Sequence, residues 1–110
     1  MATLSSHVLD TSIGKPANNV KITLAIKLKD QWKELFSVYT NQDGRIDDVT
    51  FLSTTFSKGE YQLTFHIGDY FIEQNTFLNQ VPVQFLLSGD EHFHVPLVVS
   101  PFSYSTYRGS

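Results

Sequence analysis

The chain has no cysteine, which excludes a disulfide framework, a thiolate nucleophile and any Cys-ligated zinc or iron–sulfur site. Charge is sparse too: 17% of the 110 residues are Asp, Glu, Lys or Arg, and eleven acids against eight bases give a formal charge of -3. Nucleic-acid binders usually carry a basic face and a high pI, so no nucleic-acid partner is expected. No apolar run approaches the ~20 residues that a membrane helix requires, and no membrane partner is expected. Met1-Ala2-Thr3-Leu4 opens without a basic or apolar leader pattern, so a cytoplasmic location is the expectation. No repeat, linker or low-complexity tract divides the chain. One domain over residues 1–110 is expected, burying roughly two-thirds of the surface that the unfolded chain exposes.

What the chain does have is alternation. In Val20 to Lys29, the side chains of Val20, Ile22, Leu24, Ile26 and Leu28 share one face, opposite three lysines, Thr23 and Ala25. Asp30-Gln31 connects this run to Trp32–Tyr39 as a hairpin. The same period of two returns in Leu4–Asp10, Tyr61–Ile67, Val81–Leu87 and His92–Ser100, with a further extended stretch over Phe102–Tyr107. Turn residues fall between these runs, as in Gly14-Lys15-Pro16, Asn41-Gln42-Asp43-Gly44 and Ser88-Gly89-Asp90. Gly68 to Asn75 breaks the period; Asp69 as a cap and Glu73 four residues on predict one short helix there. Seven or eight short strands with one helix describe an all-β sandwich of two antiparallel sheets.

The histidines carry the chemistry. In extended backbone Phe93, Val95, Leu97 and Val99 point into a core, so His92 and His94 point outward together, with Cβ atoms roughly 7 Å apart. Pro96 cannot donate to a ladder, which predicts an edge or bulge beside them. Three readings stay open for this pair: solvated imidazoles, a three-histidine zinc site completed by His7, or general acid–base chemistry near neutral pH. No Asp, Glu or His at matching spacing reinforces the zinc reading. His66 alternates with Leu63, Phe65 and Ile67 and reads as a solvated surface histidine. Arg45, directly after Asn41-Gln42-Asp43-Gly44, is either an exposed turn arginine or a guanidinium fixed to fork onto a planar carbonyl or carboxylate.

Five motifs stand in order along the chain: Ser6-His7-Val8-Leu9-Asp10, Gly14-Lys15-Pro16-Ala17, Asp43-Gly44-Arg45, His92-Phe93-His94-Val95-Pro96-Leu97, and Ser100-Pro101-Phe102-Ser103-Tyr104-Ser105-Thr106-Tyr107-Arg108-Gly109-Ser110. Together they resemble the 5-hydroxyisourate hydrolases of the transthyretin family, from about Leu4 to Ser110. The closing Tyr-Arg-Gly-Ser is the most specific element, since it separates the hydrolases from transthyretin itself. The resemblance implies a transthyretin-like sandwich of two antiparallel four-stranded sheets with one short helix. It also implies a homotetramer, a dimer of dimers, with active sites at the dimer–dimer interface. By the same likeness His7, Arg45, His94 and Ser110 are the catalytic positions, and His7, Arg45, Tyr107 and Arg108 bind the substrate, 5-hydroxyisourate. His94 rather than His92 matches the second catalytic histidine. No cofactor and no metal are implied. The terminal Arg-Gly-Ser is not a Ser-Lys-Leu type of peroxisomal address, which keeps the cytoplasmic expectation. The alternative is a transthyretin-like carrier that binds a small aromatic molecule without chemistry. Phe102, Tyr104 and the neighbouring prolines are candidates for subunit contacts.

Overall fold

A computed structural model describes residues 1–110. Its strands are β1 (Thr3–Asp10), β2 (Lys15–Pro16), β3 (Lys21–Leu28), β4 (Gln31–Tyr39), β5 (Gly59–Phe65), β6 (Val81–Leu87), β7 (His92–Val99) and β8 (Tyr104–Thr106). They form two four-stranded sheets, ordered β2-β1-β7-β8 and β4-β3-β5-β6. The expected pair of four-stranded layers is present. One detail differs: the sheets are not both antiparallel, because β1 and β7 run parallel over eight residue pairs, from Thr3↔His92 to Asp10↔Val99. Parallel neighbours need a long crossover, and here the entire second sheet supplies it.

Twenty-two buried apolar residues join into one continuous core between the layers. Period-two alternation explains their origin. On β1, Leu4, Ser6, Val8 and Asp10 are buried while Thr3, Ser5, His7 and Leu9 stay half-buried on the outer face. On β7, Phe93, Val95, Leu97 and Val99 are buried, as the sequence predicts. On β3 the inward set fades toward the strand end: Ile22 and Leu24 are buried, whereas Leu28 is 50% exposed. The register between β3 and β4 shifts between Leu24 and Ala25, a bulge where the strand twists out of the layer.

Two short helices are present rather than one. Helix α1 (Val49–Ser53) begins at Asp48, whose carboxylate accepts the Phe51 N–H at 2.9 Å. Its β-branched and aromatic residues give no helical signal. The cap and the burial of Phe51 against Phe36 and Phe56, in edge and tilted ring contacts, outweigh them. Helix α2 (Ile67–Tyr70) lies earlier and is shorter than the predicted Gly68–Asn75 segment, and Asp69 sits inside it rather than capping it. The reason is packing. Ile67 and Phe71, four residues apart, are both fully buried, while Ile72 to Asn75 are exposed and have nothing to hold a further turn.

No helix is long and apolar enough to cross a membrane.

Candidate active site on the outer face of the mixed sheet

The parallel pairing of β1 with β7 brings the two chain ends side by side. Register places Ser5 opposite His94, Thr3 opposite His92 and His7 opposite Pro96. All of these except Pro96 carry their polar side chains on the sheet's outer face. The Asn41–Arg45 turn then docks against β1. Asn41 Oδ1 accepts the N–H groups of Asp43 at 2.9 Å and Arg45 at 3.1 Å, which fixes the turn. The Val8 N–H donates to the Gly44 carbonyl at 2.8 Å, and His7 and Arg45 face each other as a bridge pair. Gly44 has φ +73°, and a Cβ there would lie 2.5 Å from the Val8 carbonyl oxygen and 3.2 Å from His7 Cδ2. Only glycine lets the turn come close enough to set Arg45 beside His7.

The C-terminal tail closes the other side. The Gly109 N–H donates to the His94 carbonyl at 2.8 Å. Hydrogen-bonding pairs alternate along an antiparallel ladder, so Pro96 and Tyr107 would form the next such pair. Pro96 has no N–H to give, and the ladder to β8 is interrupted there; Thr106 Oγ1 donates to the Pro96 carbonyl at 2.7 Å instead. Tyr107 is thereby released toward the outer face and is 61% exposed. The expected edge position of this strand does not hold, because β7 is interior to its sheet; the irregularity that Pro96 predicts does.

These pieces enclose an open polar groove of about 500 Å³, lined by Ser5, His7, Arg45, His92, His94, Pro96, Tyr107, Gly109 and Ser110. Four separate stretches of chain thus bring His7, Arg45, His94, Tyr107 and Ser110 together. Arg108 is not among them. Its guanidinium carbon sits 4.3 Å from the centre of the Phe93 ring, and its Nη2 lies 3.3 Å from the Glu91 carboxylate. It lines a neighbouring hollow of about 310 Å³ with Val83, Phe85 and Leu86, which meets the groove at Tyr107. The cause is strand parity: adjacent residues of an extended tail point to opposite sides, so Tyr107 and Arg108 cannot both face the groove.

His94 is half-buried, and its Nδ1 lies 2.7 Å from Ser5 Oγ. Its Nε2 has no partner within the protein and is the nitrogen left for a ligand. Burial first, then the Arg45 cation and the rings of His7 and His92, hold its pKa below the ordinary histidine value. His7 is lowered by burial and by Arg45, with Asp43 working in the other direction. Both imidazoles are therefore biased toward the neutral, proton-accepting form. His92 has both ring nitrogens engaged, Nδ1 at 2.7 Å from Thr3 Oγ1 and Nε2 at 2.7 Å from Ser5 Oγ. No group of three or more His, Asp or Glu side chains is arranged to hold a metal ion. His66, read from the sequence as solvated, is half-buried at the start of α2, with Nε2 3.4 Å from Thr23 Oγ1; it lies outside the groove. Ser5 was not singled out by the sequence reading. Its signal, a hydroxyl on the His7 face of β1, becomes visible only once β1 and β7 are paired.

A model of the HIUase/Transthyretin family matches residues 4–109. The chain is 44% identical over 114 residues to 5-hydroxyisourate hydrolase 2 of Rhizobium meliloti (strain 1021), covering 97% of this chain and 95% of that one. Among solved structures it is similar to 5-hydroxyisourate hydrolase of Klebsiella pneumoniae, with a TM-score of 0.87, 35% identity and full coverage of both chains. Transthyretin of Sparus aurata is also similar, with a TM-score of 0.87 and 28% identity over 96% of this chain and 95% of that one. A fold of two four-stranded sheets, the ordered motifs from Ser6 to Ser110 and these full-length likenesses lead to one conclusion: the chain belongs to the HIUase/transthyretin family.

Proposed function

We propose that this protein hydrolyses 5-hydroxyisourate to 2-oxo-4-hydroxy-4-carboxy-5-ureidoimidazoline in urate degradation. The observation that carries this reading is the convergence of His7, Arg45, His94, Tyr107 and Ser110 on one polar groove, in a chain whose full-length relatives include enzymes named for that reaction. The substrate is a planar oxidised purine with an acyl-urea bond in its six-membered ring. Opening that ring takes an attacking water, a base for its proton and donors for the oxyanion that develops. His94 Nε2, with Nδ1 anchored on Ser5, serves as the base, and His7 orients the water. Arg45 binds the ring and stabilises the developing negative charge through its forked donors. Tyr107 covers the ring, and Ser110 closes the groove at its open end. The electron-poor ring activates its own carbonyl, so no metal or cofactor takes part.

A polar groove suits this chemistry better than carriage of an aromatic ligand, since Tyr107 is the one hydrophobic residue among the nine that line it. The groove is open to solvent in a single chain, and Leu86, Phe102 and Tyr104 are exposed by 46–69%. We therefore place the working sites at the dimer–dimer interface of a homotetramer, where a second subunit excludes water. Sizing in solution is expected to give a mass near four chains.

The test is acceleration of the ultraviolet decay of freshly formed 5-hydroxyisourate, which also decays unaided. His94→Ala and Arg45→Ala should each fold and lose about 10²–10⁴ in kcat/KM, the range of a general base or a charge-stabilising donor. His66→Ala should keep its activity. Full activity in both groove variants would remove these residues from the mechanism, and an inactive wild type would refute the function.

A further inference from the structure

The reading above uses His94 and leaves His92 without a task, yet the two rings are joined. Ser5 Oγ stands 2.7 Å from His94 Nδ1 and 2.7 Å from His92 Nε2, and His92 Nδ1 stands 2.7 Å from Thr3 Oγ1. Four side chains from the paired ends of the polypeptide thus form one continuous hydrogen-bonded row, and three of them, Ser5, His92 and His94, line the groove. We propose that Ser5 and His92 are positioning residues that set, and reverse, the protonation state of His94. The inference rests on the assignment of His94 as the base.

A serine hydroxyl owns one proton, so Ser5 donates to one imidazole and must accept from the other. With both rings neutral, only two arrangements satisfy all three groups. In the first, His94 Nδ1–H donates to Ser5 Oγ, Ser5 donates to His92 Nε2, and His92 Nδ1–H donates to Thr3 Oγ1. His94 Nε2 then presents a bare lone pair to the groove, as a base requires. In the second, every donor is reversed and His94 Nε2 carries the proton, as an acid requires. Free imidazole has no such constraint; here the row ties the state of one ring to that of the other.

The first arrangement and a proton-loaded form of the row, in which His92 keeps its Nδ1 proton and gains one on Nε2, match the two halves of a hydrolysis. His94 Nε2 takes a proton from the attacking water as its oxygen bonds to the carbonyl carbon. The Nδ1 proton moves to Ser5 Oγ, whose own proton moves to His92 Nε2. One proton has entered the row, His92 has become imidazolium, and His94 is neutral with its proton on Nε2. When the ring C–N bond breaks, that Nε2 proton passes to the leaving nitrogen, and the reverse shift through Ser5 restores the first arrangement. The water proton ends on the leaving nitrogen, and no group is consumed. The gain is electrostatic. Burial and then the Arg45 cation disfavour positive charge on His94, whereas His92 is the exposed ring of the pair, in contact with solvent.

The test joins kinetics to a signal that does not depend on activity. Ser5→Ala and His92→Phe should lower kcat by about 10- to 100-fold, the scale seen when the orienting partner of a functional histidine is removed. KM should change much less. Ser5→Thr keeps the hydroxyl on a strand that suits a β-branched residue and should restore most of the loss. Imidazole ¹⁵N spectra of the wild type at about pH 8, where histidine is ordinarily neutral, should show His94 with its proton on Nδ1. Ser5→Ala should return it to the Nε2 form. Unchanged kcat in Ser5→Ala and His92→Phe, or a wild-type His94 with its proton on Nε2, overturns the proposal. The spectra judge the row even if 5-hydroxyisourate proves not to be the substrate, while a failed wild-type decay assay bears on the function alone.

Discussion

Gly109 offers a sharp test of the site, because its replacement separates groove geometry from global stability. Its backbone has no positive φ, so alanine is allowed by the chain itself. The difficulty is space: a Cβ at Gly109 would run into the His94 ring, with Cδ2 closest and Cγ at 3.2 Å. Forcing extra atoms into well-packed surroundings typically costs about 1–3 kcal/mol. The tail has a cheaper escape. Releasing the single bond from the Gly109 N–H to the His94 carbonyl forfeits only about 1 kcal/mol, and the exposed Ser110 end follows it out. Gly109→Ala is therefore expected to lower Tm by no more than about 4–8 °C, the shift that roughly 1 kcal/mol produces in a small domain. Activity should fall about 100-fold or more, because either the base is pushed aside or the groove loses its closing end. Gly44→Ala is the contrast. Its strain combines φ +73° with a contact of 2.5 Å to the Val8 main chain, and no free end exists to relieve it. Adding about 1–2 kcal/mol for left-handed backbone to about 1–3 for the clash predicts a loss of about 2–5 kcal/mol together with activity. The measurements are thermal unfolding and the decay assay on both variants. Wild-type kcat/KM in Gly109→Ala would show that the tail does not press on His94 in the working protein.

Further expectations concern pH, metal and a buried acid. Because burial and Arg45 lower both groove histidines, the acid limb of kcat/KM should lie below the ordinary value of about 6.5. Arg45→Gln removes the cation, and the limb of its residual activity should move to higher pH; a limb that stays or falls contradicts the electrostatic account. The same groups set the stability profile. Below about 6.5 the unfolded chain takes up protons that folded His7, His66 and His94 resist, so stability should decline as pH falls through that value, as urea titrations across pH would register. Prolonged chelation should leave the decay rate unchanged, and loss of activity that zinc restores would revive a three-histidine site. Tyr70→Phe strips the hydroxyl that donates at 2.8 Å to the buried carboxylate of Asp10, the group that also pushes the Tyr70 pKa up to about 12 after burial. About 1–3 kcal/mol of stability should go, with little change in kcat, as chemical denaturation and the decay assay would report.

Period-two alternation, turn residues and the absence of cysteine were enough to specify strands, their inward faces and the layered class, because each is a property of neighbours in the chain. The candidates His7, Arg45, His94, Tyr107 and Ser110 came instead from the likeness of motifs standing in order to those of the hydrolases. What tertiary structure alone decided was adjacency between distant segments. Ser5 and His94 are 89 residues apart, and no local spacing specifies that β1 lies parallel to β7 in the register that sets them face to face; a slip of one residue would turn every outward group inward. Arg108 parts from the other candidates for a related reason. Motif order says that it follows Tyr107, but the alternation of the tail, which keeps one register from Leu97↔Thr106 to His94↔Gly109, sends it to Phe93 and Glu91 instead. Helix α1 escaped the sequence reading because Val49-Thr50-Phe51 has strand propensity, which a single cap and one buried ring overrode. Side-chain period is encoded locally, whereas register and parity between chain ends are settled by the packing of the whole core.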